Sequence, residues 1–220
     1  VRVKDIAYVQ GVQQSQLIGY GIITGLNGTG DTQRSTFTLQ SISSMLKRFG
    51  STVSQDALRL RNVAAVMVTA TVPPFAKKGG TVDVVVSSMG DATSIQGGTL
   101  LMTPLSGMDG NIYAMAQGPV SVGGFSASSG GTEFRRSHTD AGRIPSGAII
   151  QEEVPTTIHT SDWKIDIVLF QPDFTTIKRI SDTINVKLGG DVAFPRDASS
   201  ITLNVPSDFQ NESKVVDFIA

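Results

Sequence analysis

Short apolar runs dominate residues 62–125, and they predict a β-rich centre for the chain. The run Val63–Val72 is almost wholly apolar and rich in β-branched residues, which is typical of a strand buried on both faces. Residues 82–88 alternate between apolar and polar, as a half-buried strand does. Asp109-Gly110 tolerates positive φ, so it predicts a hairpin between the two runs that flank it, 99–105 and 111–118.

A helical period follows the first predicted strand, residues 17–24, and indicates a helix over residues 37–49. Ser35 or Thr36 suits its N-terminal cap, and Gly50 suits its C-terminal end. One apolar stripe, which we expect to pack on the sheet, contains Phe37, Ile42, Met45, Leu46 and Phe49.

Glycines mark the first predicted strand and the turn after it. Gly19 and Gly21 lie inside the strand, where glycine usually indicates a bulge or a close backbone neighbour. Residues 25–31 form a Gly-rich turn, but no Lys-Ser/Thr pair follows, so this is no Walker phosphate loop. We therefore interpret residues 25–31 as a tight turn that needs positive φ.

A second unit is predicted from residue 147 onward, with the order β-β-α-β-α. Asp173 fits the N-cap of its first helix and Gly189-Gly190 fits the end of that helix, whereas Trp163 is expected to anchor the core. The fold class is then α+β: a mixed, mostly antiparallel sheet with a packed helix, followed by a smaller α+β unit. The predicted domains are 1–146, including a mobile loop at 126–146, and 147–220. The predicted elements of the second are strands 148–154, 163–170 and 200–205 and helices 173–187 and 212–220.

Composition narrows the classes of function. The net charge of −1 provides no field that would attract nucleic acid, and the absence of Cys excludes disulfides and thiolate metal sites in these residues. No run of 18 apolar residues predicts a transmembrane helix. Charged residues make up only 17%, below the usual quarter, which favours a surface partly covered by partners.

Candidate chemistry is sparse. His138 and His159 stand without a paired carboxylate motif and are interpreted as solvated residues, so we predict no catalytic, cofactor-binding or metal-binding residue. In the loop 73–80, Lys77 and Lys78 fit either a solvated loop end or a contact with an acidic partner, and the residues alone favour the first. The predicted mobile loop contributes three further candidate contacts, Arg135, Arg136 and Arg143.

Several longer strings are specific enough to suggest a family. Over most of residues 1–153, these strings strongly resemble the bacterial flagellar P-ring protein, and they follow one another in the same order as in that family. The strings are QLIGYGIITGLNGTGD (16–31), NVAAVMVTATVPPFAKKGG (62–80), VDVVVSSMGDATSIQGGTLLMTPL (82–105), YAMAQGPVSVGGF (113–125) and GRIPSGAIIQEE (142–153).

This resemblance implies a structural role. Members of the family are exported through a cleaved signal peptide and form a homo-oligomeric periplasmic ring around the flagellar distal rod, at the peptidoglycan layer and beneath the L ring. The ring acts as a bushing for the rod, is no enzyme and has no cofactor; its partners include the L-ring protein, peptidoglycan and a periplasmic P-ring assembly chaperone. The chain resembles the N-terminal two-thirds of the family, so we expect its second domain to be cut short at the C-terminal end.

Two hypotheses remain: one follows from the resemblance, and the other is a rival to it. The first is that Arg61, Lys77 and Lys78, which bracket the strand Val63–Val72 and its loop, face the rod. The second is an alternative class, a stand-alone peptidoglycan- or carbohydrate-binding module of the envelope. Aromatic residues make up only 6% with one Trp, which is little for sugar platforms. A hydrolase is disfavoured because no nucleophile or carboxylate constellation occurs.

Overall fold

The computed structural model describes residues 2–32, 35–48, 60–123 and 139–219. The chain divides into two compact units. The barrel unit comprises residues 14–154, and the sheet unit comprises residues 1–13 together with 155–220. Each unit combines antiparallel strands with helical structure, which confirms the α+β class.

The described residues contain ten strands and three α-helices. The strands are β1 (Ala7–Val9), β2 (Ser15–Thr24), β3 (Val63–Val72), β4 (Thr81–Ser88), β5 (Thr99–Ser106), β6 (Ile112–Pro119), β7 (Ala141–Ile150), β8 (Lys164–Leu169), β9 (Ala193–Pro195) and β10 (Ser200–Asn204). The helices are α1 (Thr36–Arg48), α2 (Phe174–Leu188) and α3 (Glu212–Ile219). Within these residues, no helix is long and apolar enough to cross a membrane.

The barrel unit is a closed, fully antiparallel barrel with the strand order β2-β3-β4-β7-β6-β5. Inward-facing residues alternate along each strand, so the barrel is filled by side chains. The loop residues Leu26 and Ile95 join this core from one end of the barrel. The strands contribute, among others, Leu17, Ile23, Val66, Val68, Val84, Val86, Leu100, Leu105, Ile144 and Ile150.

Helix α1 covers part of the outer surface of the barrel, as the helical stripe predicted. Ile42 forms a small apolar cluster with Ile22 of β2, and the Tyr20 hydroxyl donates to the Oγ atom of Ser41 at 2.9 Å. Burial raises the pKa of Tyr20. The predicted end residues Phe49 and Gly50 lie outside the described residues.

Glycine closes the seam between β2 and β5. A Cβ atom on Gly19 would collide with the backbone oxygen of Pro104, and one on Gly21 would lie 2.5 Å from the Oγ1 atom of Thr103. The pairing of β2 with β5 also shifts register between Ile18 and Ile23. The predicted close backbone neighbour is therefore confirmed at Gly19, whereas at Gly21 the close neighbour is the side chain of Thr103. Both glycines lie where the barrel closes.

The sheet unit is a four-stranded antiparallel sheet with the order β1-β8-β10-β9. The N-cap at Asp173 is confirmed, because its Oδ2 atom accepts from the Thr176 backbone N–H at 2.7 Å, and Gly189 ends α2 with φ 69°. Trp163 packs on the core of this unit as expected. That core contains Ile165, Ile177, Ile180, Ile201, Leu203 and Val215.

The structure divides the chain differently from the predicted domains. Residues 141–146, assigned to the mobile loop, and residues 148–150, assigned to the first strand of the second domain, both belong to β7 of the barrel. In the sheet unit, the short strand β9 was missed; residues 1–12 were predicted as a strand or an extended arm, but of the first domain rather than of this unit. These errors share one cause: long-range strand pairing, which a local pattern does not encode, assigns β1 and β7 to their sheets.

Candidate functional site

The three candidate rod contacts lie at two ends of the barrel. Arg61 belongs to a short 3-10 helix that leads into β3, whereas Lys77 and Lys78 follow the far end of that strand. Ten residues of strand separate them, which corresponds to roughly 30 Å at about 3.3 Å per residue. The structure therefore brings Lys77 and Lys78 together but leaves Arg61 apart from them.

The loop 73–80 is tied down by backbone and side-chain bonds. Gly79 donates its N–H to the Ile150 carbonyl at 2.8 Å, and Gly80 donates to the Lys77 carbonyl at 2.9 Å. The Nζ atom of Lys77 lies 2.8 Å from the Oε2 atom of Glu153, an exposed ion pair. Lys78 makes no ion pair with any residue that the structure describes.

Arg143 lies on β7 rather than in a mobile loop, so the context predicted for it is wrong. Its guanidinium contacts Asp83 of β4 at 2.5 Å, and the same carboxylate accepts the Ser146 N–H at 2.7 Å. These two partners, Ser146 first, hold the pKa of Asp83 below its ordinary value. The pair bridges the bulge where β4 and β7 shift register. The candidate contacts Arg135 and Arg136, like His138, lie outside the described residues.

A buried carboxylate organises one end of the barrel. Asp31, at the end of the Gly-rich turn, is fully buried and accepts the N–H groups of Ala65 and Ala92 at 2.8 and 2.9 Å and the Thr38 hydroxyl at 2.6 Å. It thus joins β3, α1 and the loop before β5. The sequence analysis did not predict this role. A usable signal was the acidic residue directly after Gly30, because glycine permits close backbone approach.

His159 and Trp163 pack against each other in the sheet unit. The rings of His159 and Trp163 stack with centroids 4.3 Å apart, and Trp163 is partly buried against the core. One face of the only Trp is therefore covered by His159 rather than open to a sugar. Among the described residues, no cluster of three His, Cys, Asp or Glu side chains is placed to hold a metal ion.

An open groove of about 900 Å³ lies beside α2 in the sheet unit. Two carboxylates, Asp5 and Asp173, and the guanidinium of Arg179 lie among its lining residues. We call it the α2 groove; its apolar lining consists of Val3, Ile6, Leu169, Phe170, Ile180 and Ile184.

Together these features define an α+β scaffold protein. In the described part of the chain, the buried polar side chains, Asp31 among them, serve the fold, and most charged side chains lie on the surface. The chain belongs to the flagellar P-ring protein family, whose model matches residues 2–220.

Curated relatives agree with this assignment. The chain is 48% identical to the flagellar P-ring protein of Desulfotalea psychrophila, 46% to that of Geobacter metallireducens and 50% to that of Nitrosomonas europaea. Each comparison covers 100% of the chain but only 56%, 60% and 59% of the relative, respectively. The chain thus spans less than two-thirds of the length of these relatives.

Proposed function

We propose that the chain is a structural subunit of the flagellar P ring and performs no catalysis. It assembles with copies of itself around the distal rod, in the periplasm at the peptidoglycan layer, and forms a bushing in which the rod turns. The observation that carries this proposal is the family match over residues 2–220, together with relatives that are nearly half identical over the whole chain. No observation favours the stand-alone carbohydrate-binding module.

The barrel supports a bushing role physically. A closed antiparallel barrel satisfies its strand edges internally, and its core is filled with interlocking Val, Ile, Leu and Ala side chains. Such a body transmits load without exposing an edge that could pair with the wrong strand. A ring of identical subunits then needs head-to-tail interfaces, in which one surface of a copy contacts a different surface of the next.

The proposed partners are further copies of the chain, the distal rod, the L-ring protein, peptidoglycan and the periplasmic assembly chaperone. For the rod we retain Arg61, Lys77 and Lys78 as candidate contacts. Because they lie at opposite ends of β3, all three touch the rod together only if β3 runs along it. Arg135, Arg136 and Arg143 remain candidate contacts for other partners, with Arg143 already engaged by Asp83.

Replacement in a living flagellum tests the proposal. Residues 1–220 would replace the matched part of the Geobacter metallireducens relative in a strain without its own P-ring protein. We expect swimming to return and isolated basal bodies to show the ring by electron microscopy. Stable chimera in the periplasm with no ring would contradict the proposal, and an empty replacement vector is the control.

Charge reversal then tests the rod contacts at each end separately. Arg61→Glu and the double variant Lys77→Glu/Lys78→Glu are compared in the same chimera. Loss of rings in one variant only identifies the end that contacts the rod. Normal rings and swimming in both variants would exclude these residues as rod contacts.

A further inference from the structure

A fully exposed methionine lies in the turn between β5 and β6. Met108 follows Gly107 in this turn, and its exposed fraction is 104%, so water reaches the whole side chain. Methionine is among the residue types that are most often buried, which makes a thioether in this position unusual. The chain contains six methionines and no Cys, so these thioethers are its only sulfur groups.

The turn is held in shape by groups other than the Met108 side chain. Gly107 donates its N–H to the Asn111 carbonyl at 3.0 Å. The Asp109 carboxylate accepts the Asn111 N–H at 3.1 Å and the Tyr113 hydroxyl at 2.6 Å. None of these bonds involves the thioether, so the turn keeps its shape when that group changes chemically.

The other methionines are less accessible and form a graded series. Met102 of β5 is 67% exposed, and Met89, directly after β4, is 45% exposed. The remaining three, Met45 of α1, Met67 of β3 and Met115 of β6, are partly buried. Met45 packs on the small apolar cluster between α1 and the barrel. One chain thus contains thioethers whose exposure ranges from full to slight.

The thioether of methionine reacts with hydroperoxides by transfer of one oxygen atom. A sulfur lone pair attacks one oxygen of hydrogen peroxide, an S–O bond forms and the O–O bond breaks. The other oxygen leaves with both hydrogens as water, so the sulfur is oxidised and the peroxide is reduced by the same electron pair. Because the oxidant must touch the sulfur atom, the rate of this reaction rises with the exposure of the side chain.

We propose that Met108 is an oxidative modification site, at which a hydroperoxide forms the sulfoxide before the other methionines react. The sulfoxide is polar, but Met108 belongs to neither hydrophobic core and already lies in water, so the fold tolerates the change. Oxidation at Met45 differs, because it places a polar group in the apolar cluster beneath α1. Reduction of the sulfoxide restores the side chain, so the modification of Met108 is reversible. The site exists whether or not the chain assembles into a ring.

Exposure of the unaltered chain to dilute hydrogen peroxide gives the first test. Samples are quenched over time, and fragment-ion mass spectrometry assigns each added oxygen atom to one methionine. We expect the unoxidised form of Met108 to be lost first, followed by that of Met102 and then that of Met89, in the order of their exposure. Met67 should stay largely unoxidised while Met108 reacts to completion. Equal rates of oxidation at Met108 and Met67 would overturn the inference.

Substitution of the two most exposed methionines gives the second test. Met108→Leu removes the thioether and keeps an apolar side chain of similar size, and Met102→Leu is the matched control. We expect the rapid uptake of the first oxygen atom to be lost in Met108→Leu and retained in Met102→Leu. Rapid uptake that persists in Met108→Leu would mean that another methionine reacts first, and it would overturn the inference.

Thermal unfolding tests whether the fold tolerates the modification. A short exposure to peroxide yields chain that is oxidised at Met108 alone, and its unfolding temperature should equal that of the untreated chain. A methionine sulfoxide reductase should then remove the added oxygen atom, because the side chain is open to the enzyme. A lowered unfolding temperature, or a sulfoxide that the reductase leaves in place, would contradict the proposal of a tolerated and reversible site.

Discussion

The barrel unit and the sheet unit differ in whether all their strand edges are paired with another strand. The barrel closes on itself, so each of its six strands has two neighbours. The sheet ends at β1 on one side and at β9 on the other, and an exposed edge invites pairing with another chain. Side chains of α2 block the β9 edge: Asn185 accepts from the N–H groups of Val192 and Ala193, and Ser181 donates to the Ala193 carbonyl.

The two units therefore depend on different interactions for their stability. Pro195 has no N–H to offer, so the β9 edge is closed by one proline and by two polar side chains. The barrel depends instead on close backbone approach at its seam and on a buried carboxylate at its end. Single substitutions should therefore act on the backbone geometry of the seam or on the buried carboxylate in the barrel, and on the side-chain bonds at the β9 edge in the sheet.

The largest expected effect is at Asp31. Asp31→Ala leaves the N–H groups of Ala65 and Ala92 buried without their acceptor, and we expect a loss of about 4 kcal/mol in the free energy of unfolding. Urea unfolding followed by circular dichroism measures the loss. The control, Asp31→Asn, keeps one acceptor oxygen and should lose less; equal loss in both variants would contradict the hydrogen-bond account.

Gly19→Ala tests the seam of the barrel. The added methyl group collides with the Pro104 backbone oxygen, so the strands β2 and β5 must separate, at a cost of about 3 kcal/mol. Gly123→Ala, where a Cβ meets no atom of the described residues within 4 Å, is the control. If thermal unfolding shows that the two variants are equally stable, the strands β2 and β5 can separate at Gly19 without a loss of stability.

Asn185→Ala tests the blocked edge of the sheet unit. Two backbone N–H groups lose their acceptor, and we expect about 2 kcal/mol of destabilisation together with concentration-dependent association. Val186→Ala, an exposed position on the same helix, should change neither property. Destabilisation without any association would mean that Pro195 alone blocks pairing; the measurement is unfolding combined with light scattering.

The smallest effect concerns acid stability at Asp197. Bonds from the Ser199 hydroxyl, the Ser199 N–H and Ser200 lower the pKa of Asp197 from 3.8 to about 2. Because the folded-state pKa is depressed, its stabilising contribution is full above about pH 4 and is lost as the pH falls toward 2. Asp197→Asn should remove that part of the acid dependence of unfolding. If the pH dependence of unfolding is unchanged in Asp197→Asn, the pKa of Asp197 is the same in the folded and the unfolded chain.

Much of the local structure was readable from the sequence. A continuous apolar run predicted β3, alternation predicted β4, and Asp109-Gly110 predicted the hairpin of β5 and β6. Glycine predicted the close approach of β2, and Asp173 and Gly189 predicted the ends of α2. These features depend on neighbours within a few residues. Three features depend on partners far along the chain: the closure of the barrel, the placement of β7 in it, and the pairing of β1 in the sheet unit. The local pattern therefore did not predict them.

For the candidate contact residues, too, the sequence predicted local features and missed the long-range ones. The sequence singled out Lys77 and Lys78 as charges in a loop, but it could not show that Lys77 is paired with Glu153, 76 residues away. It grouped Arg61 with them because the three bracket one strand, and the length of that strand keeps them apart.

The sequence by itself determined the α+β class, the principal strands and helices, and the family, because periodicity, cap residues and long characteristic strings are local properties. The tertiary structure decided that six strands close into a barrel and that Asp31 is buried at its end. The physical reason is that closure and burial arise from contacts between distant segments. Those contacts exist only once the chain has folded.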